Sequence, residues 1–392
     1  MSKLILAIET SCDDTAVSVV EISDNKQGSD TPIFRSLAHI VSSQTDIHQS
    51  WGGVVPNLAK REHAKNIVPV ILQALATAKL QIAPETIGSP TPQNKKDYID
   101  TLFQKNDSLA EIFWDNIPTT APEIDAIAVT TGPGLEPALW VGINVAKSLA
   151  LLWDKPLIPV NHIEGHIMSP LIDNPEATLP ALALIVSGGH TELIFIDKWG
   201  SYNKIGSTRD DACGEAFDKV ARLLELPYPG GPEIGRLAEI AENRGRNDKW
   251  TLPRPMIDSP DYDFSFSGLK TAVRYAIEGK KLSTVEKEDL ALEFEQAVVD
   301  VLIAKTKKAL LHFPVQTLIV GGGVASNTRL RKNMTALITT TDSPPLLLFP
   351  PQNMTTDNAT MIGIVAGLKI PLQTNISTSY LDQIVASGNL SV

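Results

Sequence analysis

The chain reads as an α/β protein built from two similar lobes around a central cleft. Three observations point there. Short apolar runs alternate with longer amphipathic stretches, as strands and helices do in layered α/β folds. The order strand, acidic or glycine turn, strand, strand, helix, strand, helix runs from residue 4 to 152 and again from about 181 to 369. Each copy opens with a hairpin whose tip is small and polar, 11–14 in the first and 188–191 in the second. The lobes are expected at 1–155 and 156–392, with the last helical segment free to pack back on the first, and the two tips are expected to face each other.

Residues 4–10 (LILAIET) make a buried strand, 11–14 a polar turn and 15–22 (TAVSVVEI) the return strand. Asp13 and Asp14 either shape the turn through side chain-to-backbone hydrogen bonds or bring carboxylates to a phosphate or its metal. A third strand falls near 36–43. Residues 45–56, with Trp51-Gly52-Gly53, form a loop leading to a helix over 57–79, kinked at Pro69. Prolines 84, 90, 92, 118 and 122 punctuate a polar stretch, read as a surface insertion over 84–122 with one short helix at 109–114. A strand at 124–131, the turn Gly132-Pro133-Gly134 and a helix at 136–152 complete the first lobe.

The second lobe opens with a strand at 156–160, a turn at Asn161 and a helix carrying His162 and His166. Strands follow at 182–187, 192–197 and 202–207, the first two joined by a tight turn at Gly188-Gly189-His190-Thr191. A helix starts within 210–219, its first turn acidic as the helix dipole prefers. Residues 228–232 (YPGGP) read as a loop, 264–270 open another helix, and 289–312 form a long amphipathic one. A strand at 317–320, the turn Gly321-Gly322-Gly323, a helix start near Asn327, a strand at 346–349 and a last helix led by 355–360 close the chain.

Bulk properties bound the function. The 392 residues suffice for two or three domains at ~150 residues each. Two cysteines, Cys12 and Cys213, exclude a disulfide framework and suit a reducing cytosol. The N-terminus runs straight into a strand, unlike a signal peptide, and no apolar run reaches the ~18 residues of a membrane span. The expectation is a cytoplasmic protein with no membrane partner. A net charge of −11 argues against a dedicated nucleic-acid binder, since phosphate neutralisation needs Lys and Arg. Local basic faces are still offered by Lys60, Arg61, His63 and Lys65, by Arg329, Arg331 and Lys332, and by Lys305, Lys307 and Lys308.

Residues 161–166 (NHIEGH) carry the most chemistry. Two imidazoles four residues apart share a helical face and suit a single metal ion, although the same pair could be polar surface. A protease of the His-Glu-x-x-His type has its acid directly after the first His; here Glu164 is two positions on and points off that face. A third ligand has to come from elsewhere.

The layout of lobes resembles the actin-like and sugar-kinase superfamily. Eight stretches in order make the resemblance specific: Glu9-Thr10-Ser11-Cys12-Asp13-Asp14, Gly52-Gly53-Val54-Val55-Pro56, His162-Ile163-Glu164-Gly165-His166, Val186-Ser187-Gly188-Gly189-His190-Thr191, residues 210–219, Tyr228-Pro229-Gly230-Gly231-Pro232, residues 264–270 and Thr356-Asp357-Asn358-Ala359. Together they are similar to the tRNA N6-adenosine threonylcarbamoyltransferases, of bacterial or organellar type, over nearly the whole chain outside 84–122. The resemblance implies transfer of a threonylcarbamoyl group from threonylcarbamoyl-AMP to N6 of the adenine 3′ of the anticodon in tRNAs reading codons that begin with A. It implies one divalent metal, iron or zinc, on His162, His166 and Asp357. It implies substrate contacts from Ile185, Val186, Ser187, Gly188, Gly189, Asp218, Gly231 and Asn327, and roles in transfer for Asp13, Asp14 and His190. The implied partners are tRNA, an inactive paralogue of the TsaB type and an ATPase of the TsaE type.

Three features depart from the family pattern. Some relatives place a metal-touching Tyr where Ile185 stands, many bacterial members carry an Asp where Gly235 stands, and the stretch 84–122 has no recognised counterpart. A metalloprotease, suggested by the His pair, and a small-molecule kinase of the actin-like superfamily are the competing readings.

Overall fold

The computed structural model describes residues 2–24, 32–245, 249–341, 343–369 and 376–392. In chain order the strands are β1 Lys3–Glu9, β2 Asp14–Ser23, β3 Ile33–Ser43, β4 Ala126–Gly132, β5 Leu157–Asn161, β6 Ala181–Val186, β7 Thr191–Lys198, β8 Ser201–Ser207, β9 Thr317–Gly321 and β10 Leu346–Leu348. The helices are α1 Thr45–Gln49, α2 Pro56–Thr77, α3 Gln93–Phe103, α4 Asp107–Asn116, α5 Glu136–Trp153, α6 His162–Met168, α7 Cys213–Leu223, α8 Gly230–Arg244, α9 Ser267–Ile277, α10 Thr284–His312, α11 Thr328–Thr339, α12 Ala359–Lys369 and α13 Thr378–Gln383. Two compact units emerge: one from 1–47, 54–176 and 357–392, the other from 48–53 and 177–356.

The units share one topology. The first sheet runs β3-β2-β1-β4-β5 and the second β8-β7-β6-β9-β10. In each, three strands form an antiparallel meander, and the fourth and fifth lie parallel to the first. The predicted duplication is therefore real, with one shift. Leu157–Asn161, read as the start of the second lobe, pairs with β4 (Ile127 opposite Leu157) and closes the first sheet.

In the first unit, Leu6, Ile8, Val17 and Val19 share a buried core with Ile67 and Ile71 of α2 and Leu139 and Ile143 of α5. The helix α12 also packs on this sheet: a Cβ on its Gly363 would come within 2.5 Å of Val20 Cγ2, so only glycine admits this approach. The stretch 84–122 differs from expectation. It holds two helices, α3 and α4, whose Ile99, Phe103, Leu109 and Phe113 lie in the same core. Residues 45–49 are helical rather than loop. In the second unit, α8 begins at Gly230, where sequence suggested only a loop. A Cβ on Gly230 would meet Ala221 Cβ at 2.5 Å, so the glycine that looked like a loop former lets α8 close on α7. The core here joins Leu182, Leu184 and Leu193 to Phe217, Phe264, Phe294 and Leu302.

Candidate functional site

The C-terminal ends of parallel strands are where α/β sheets collect ligands. In the first unit β1 ends at Glu9 and β5 at Asn161. Asn161 caps α6, its Oδ1 accepting from Ile163 N–H at 2.8 Å and Glu164 N–H at 3.3 Å, which sets the helix running directly off the strand. Gly165 lets α12 lie close, since a Cβ there would sit 2.9 Å from Met361 Cγ. This packing brings Asp357, just before α12, to the His pair.

Asp357 Oδ1 lies 3.4 Å from His162 Nε2 and 3.3 Å from His166 Nε2. The three ligand atoms fall within 4.8 Å of one another. The imidazole rings meet edge-on, with centroids 4.6 Å apart. His166 Nε2 is buried, and among the described residues it makes no well-formed hydrogen bond, Asp357 Oδ1 standing 3.3 Å away; so poorly paired a buried nitrogen is costly. Two neutral-capable nitrogens and a carboxylate oxygen converging on one point, with one nitrogen poorly paired, fit a divalent transition ion.

Behind His162 stands Glu9, wholly buried at the end of an apolar strand. Its Oε2 accepts from His162 Nδ1–H at 2.9 Å and from the Thr130 hydroxyl at 2.6 Å, and its Oε1 accepts from Ser11 N–H at 2.5 Å. A carboxylate only accepts, so the ring proton sits on Nδ1 and Nε2 faces Asp357 and His166. Burial pushes the Glu9 carboxyl up, but the charge and hydrogen bond of His162 outweigh it and hold the group below its ordinary range. Burial works to deprotonate His162, yet the charges of Asp357 and Glu9 hold the ring well above the usual imidazole range. Burial and the charge of His162 keep His166 low. Asp357, though buried, is pulled far below the carboxylate range by the two imidazoles.

The β1–β2 turn carries Asp13 and Asp14. Burial, opposed by a hydrogen bond from Ser43 and reinforced by the charges of Asp357, Asp13 and Glu9, raises Asp14 to about 7. Among the described residues its Oδ1 is buried without a hydrogen-bond partner. Cys12 beside them is no nucleophile: burial and the charge of Asp13 push its thiol well up.

In the second unit the β6–β7 turn is tied by Ser187, whose Oγ accepts from Gly189 N–H at 3.3 Å and His190 N–H at 3.1 Å. Gly188 and Gly189 are exposed and would meet nothing within 4 Å of an added Cβ. Ile185 and Val186 are wholly buried inside β6 and offer a ligand no side chain. Asp218 Oδ1 accepts from Gly230 N–H at 2.7 Å, pinning the start of α8. Asn327 caps α11 by accepting from Leu330 N–H at 2.9 Å.

Comparison with known proteins decides the family. The family model for tRNA N6-adenosine threonylcarbamoyltransferase matches residues 35–87 and 108–364. Proteins carrying that name are similar along nearly the full length. The one from Thermosipho africanus is 41% identical, over 97% of this chain and 98% of its own. The one from Staphylococcus haemolyticus is 44% identical, over 93% of this chain and 90% of its own. The chain belongs to the tRNA N6-adenosine threonylcarbamoyltransferase family. Among solved structures, HypF from T. kodakarensis shares the fold, with a TM-score of 0.52 at 13% identity, over 94% of this chain and 48% of that one.

Within this threonylcarbamoyltransferase, the structure draws His162, His166 and Asp357 together, and sets Asp13 and Asp14 on the turn that follows Glu9. The family model leaves out 88–107, which holds α3 and lies inside the stretch 84–122 that sequence singled out. Glu164 is buried and paired with Lys369, so it is committed away from the His pair, as expected from its place in the sequence. Glu9, Ser11 and Thr130 were given no role from sequence, and His63 was read only as part of a basic face. The available signal for Glu9 was a lone carboxylate closing an apolar strand, which is expensive unless paired. No helix among the described residues is long and apolar enough to cross a membrane.

Proposed function

We infer that this chain transfers the threonylcarbamoyl group of threonylcarbamoyl-AMP to N6 of the adenine 3′ of the anticodon, in tRNAs reading codons that begin with A. The observation that carries this, beyond family membership, is the convergence of His162, His166 and Asp357 around a buried, poorly paired imidazole nitrogen. These three residues would hold the iron or zinc ion, which when bound supplies Lewis acidity and an anchor for the acyl donor. Glu9 fixes the His162 tautomer. The adenine amine is a weak nucleophile, because its lone pair is delocalised into the ring. Its nitrogen bonds to the carbamoyl carbon, the carbon–oxygen bond to phosphate breaks, AMP leaves, and the amine proton goes to a base. Asp14, held near neutrality, is matched to that work, with Asp13 and His190 as neighbours in role. The donor's phosphate and sugar are assigned to Ser187, Gly188 and Gly189, to backbone at Ile185 and Val186, and to Asp218, Gly231 and Asn327. We assign the work to the cytoplasm, with tRNA, the inactive paralogue and the ATPase as partners.

The test is reconstitution with the donor-making enzyme, threonine, bicarbonate, ATP, tRNA and the partner subunits, followed by nucleoside mass analysis. Modified adenosine is expected only when this chain is present, and a His166→Ala variant should lose at least 100-fold of the rate. Undiminished modification by His166→Ala would overturn the assignment of the site.

A further inference from the structure

Gly235 lies on α8, and the structure shows what lies above it. Among the described residues, an added Cβ at Gly235 would have two atoms within 4 Å beyond its own helix backbone: Glu295 Oε1 at 3.5 Å and Asn327 Nδ2 at 3.9 Å. One turn earlier on α8, a Cβ on Gly231 would meet nothing within 4 Å. The two glycines share a helical face at i and i+4 spacing, so α8 offers a bare strip beside a carboxylate.

That carboxylate is prepared for a ligand. Glu295, on α10, is 3% exposed. Oε1 accepts from Asn327 Nδ2 at 2.6 Å and Oε2 from Arg329 Nε at 2.7 Å. Arg329 is itself steadied by Gln296 Oε1 at 3.0 Å and Glu242 Oε2 at 2.9 Å. An ionised carboxylate has about four acceptor positions, and these bonds fill two. Burying a charge this deeply is costly; burial pushes the Glu295 carboxyl above its ordinary range, and the Arg329 guanidinium and the Asn327 amide offset part of that cost. What is left is a fixed acceptor, its Oε1 3.5 Å from where a Cβ on Gly235 would stand.

We propose that Glu295 is a specificity-determining residue for the acyl-adenylate donor, its carboxylate accepting a ribose hydroxyl in the space Gly235 leaves free. This rests on the reading that an adenylate is the donor. A site that hydrogen-bonds a hydroxyl discriminates strongly against a ligand lacking it.

Calorimetric titration of the full chain with AMP and with 2′,3′-dideoxy-AMP tests the proposal. The wild-type chain should bind AMP at least tenfold more tightly. Glu295→Gln should cut that preference at least fivefold, and adding Gly235→Asp to it should restore the preference. Gly235→Ala, which favours the helix and fits at an ordinary contact distance, should weaken AMP at least fivefold and leave the dideoxy compound unaffected. Equal binding of both nucleotides by the wild-type chain, or an unchanged preference in Glu295→Gln and Gly235→Ala, overturns the role of Glu295 and leaves the adenylate reading standing. Binding of neither nucleotide removes both.

Discussion

At the scale of single residues, the first unit spends its polar groups on holding other polar groups. His63, buried on α2, shows this. Its Nε2 lies 3.0 Å from the Cys12 carbonyl, which only accepts, so Nε2 carries the proton and Nδ1 takes the Thr15 hydroxyl at 2.7 Å. One ring thus clasps the turn bearing Asp13 and Asp14 from both sides. His63→Phe leaves two polar groups unsatisfied, about 1–3 kcal/mol each. It should lower the melting temperature and cut kcat more than KM; kinetics with kcat untouched would reject the clasp. Glu9→Gln should weaken metal binding about 10- to 100-fold, read by competition with a chelator, because the oriented imidazole loses its charged partner. Asp14 yields a pH signature. Between the ordinary carboxylate range and about 7, the folded chain holds a proton that the unfolded chain has released. Stability of the metal-free protein should therefore fall as pH rises through that window, and Asp14→Asn should flatten the dependence. A cation beside Asp357 offsets one of the charges raising Asp14, so the rising limb of the rate in the loaded enzyme should lie below 7. The His pair was legible in sequence because i, i+4 spacing fixes a face. Glu9 and His63 were not, because their partners are distant in the chain.

At the scale of elements, periodicity revealed most strands and helices, and composition misled where packing overrode it. The sequence of α3, QNKKDYIDTLF, is polar on average, and its Ile99 and Phe103 read as a weak stripe until they are seen in the core. Phe113→Ala on α4 should cost about 3–5 kcal/mol, measured by denaturant unfolding, where a true surface insertion would lose almost nothing. The Gly-Gly-Pro at 230–232 suggested a loop because glycine and proline usually break helices; close approach of α7 explains both why glycine is there and why the helix survives. The same logic governs α12. Gly363→Val would force the helix off Val20, at about 1–3 kcal/mol for overpacking. The consequence reaches the proposed metal site, since Asp357 leads into that helix. Melting temperature and metal affinity should fall together, whereas Gly268→Ala on α9, with nothing within 4 Å, should change neither.

For the whole molecule, the repeated element order was visible because each copy must bury a similar sheet, and the matching strand orders show the duplication directly. The lobe boundary was less legible, since β5 reads as one more apolar strand until its parallel pairing with β4 is known. The net charge of −11 now acquires a structural side. Of the basic clusters that might have met phosphate, Lys305 is buried, donating to Ser259 Oγ at 2.6 Å and Asp261 O at 2.9 Å. Arg329 is tied to Glu295 and Glu242, and Arg331 donates to the carbonyls of Ala325 at 2.7 Å and Pro350 at 3.0 Å. These cations serve the fold. On the proposal that partner subunits share in holding tRNA, the isolated chain, left with Lys60, Arg61 and Lys65 as its main accessible cluster, should bind tRNA weakly. Log affinity against log salt should fall with a slope no steeper than about −3, the signature of some three phosphate contacts, and should steepen when the partners are added. Tight binding by the isolated chain with a slope clearly steeper than about −3 would place the missing phosphate contacts on this chain and remove the need for partners in holding tRNA.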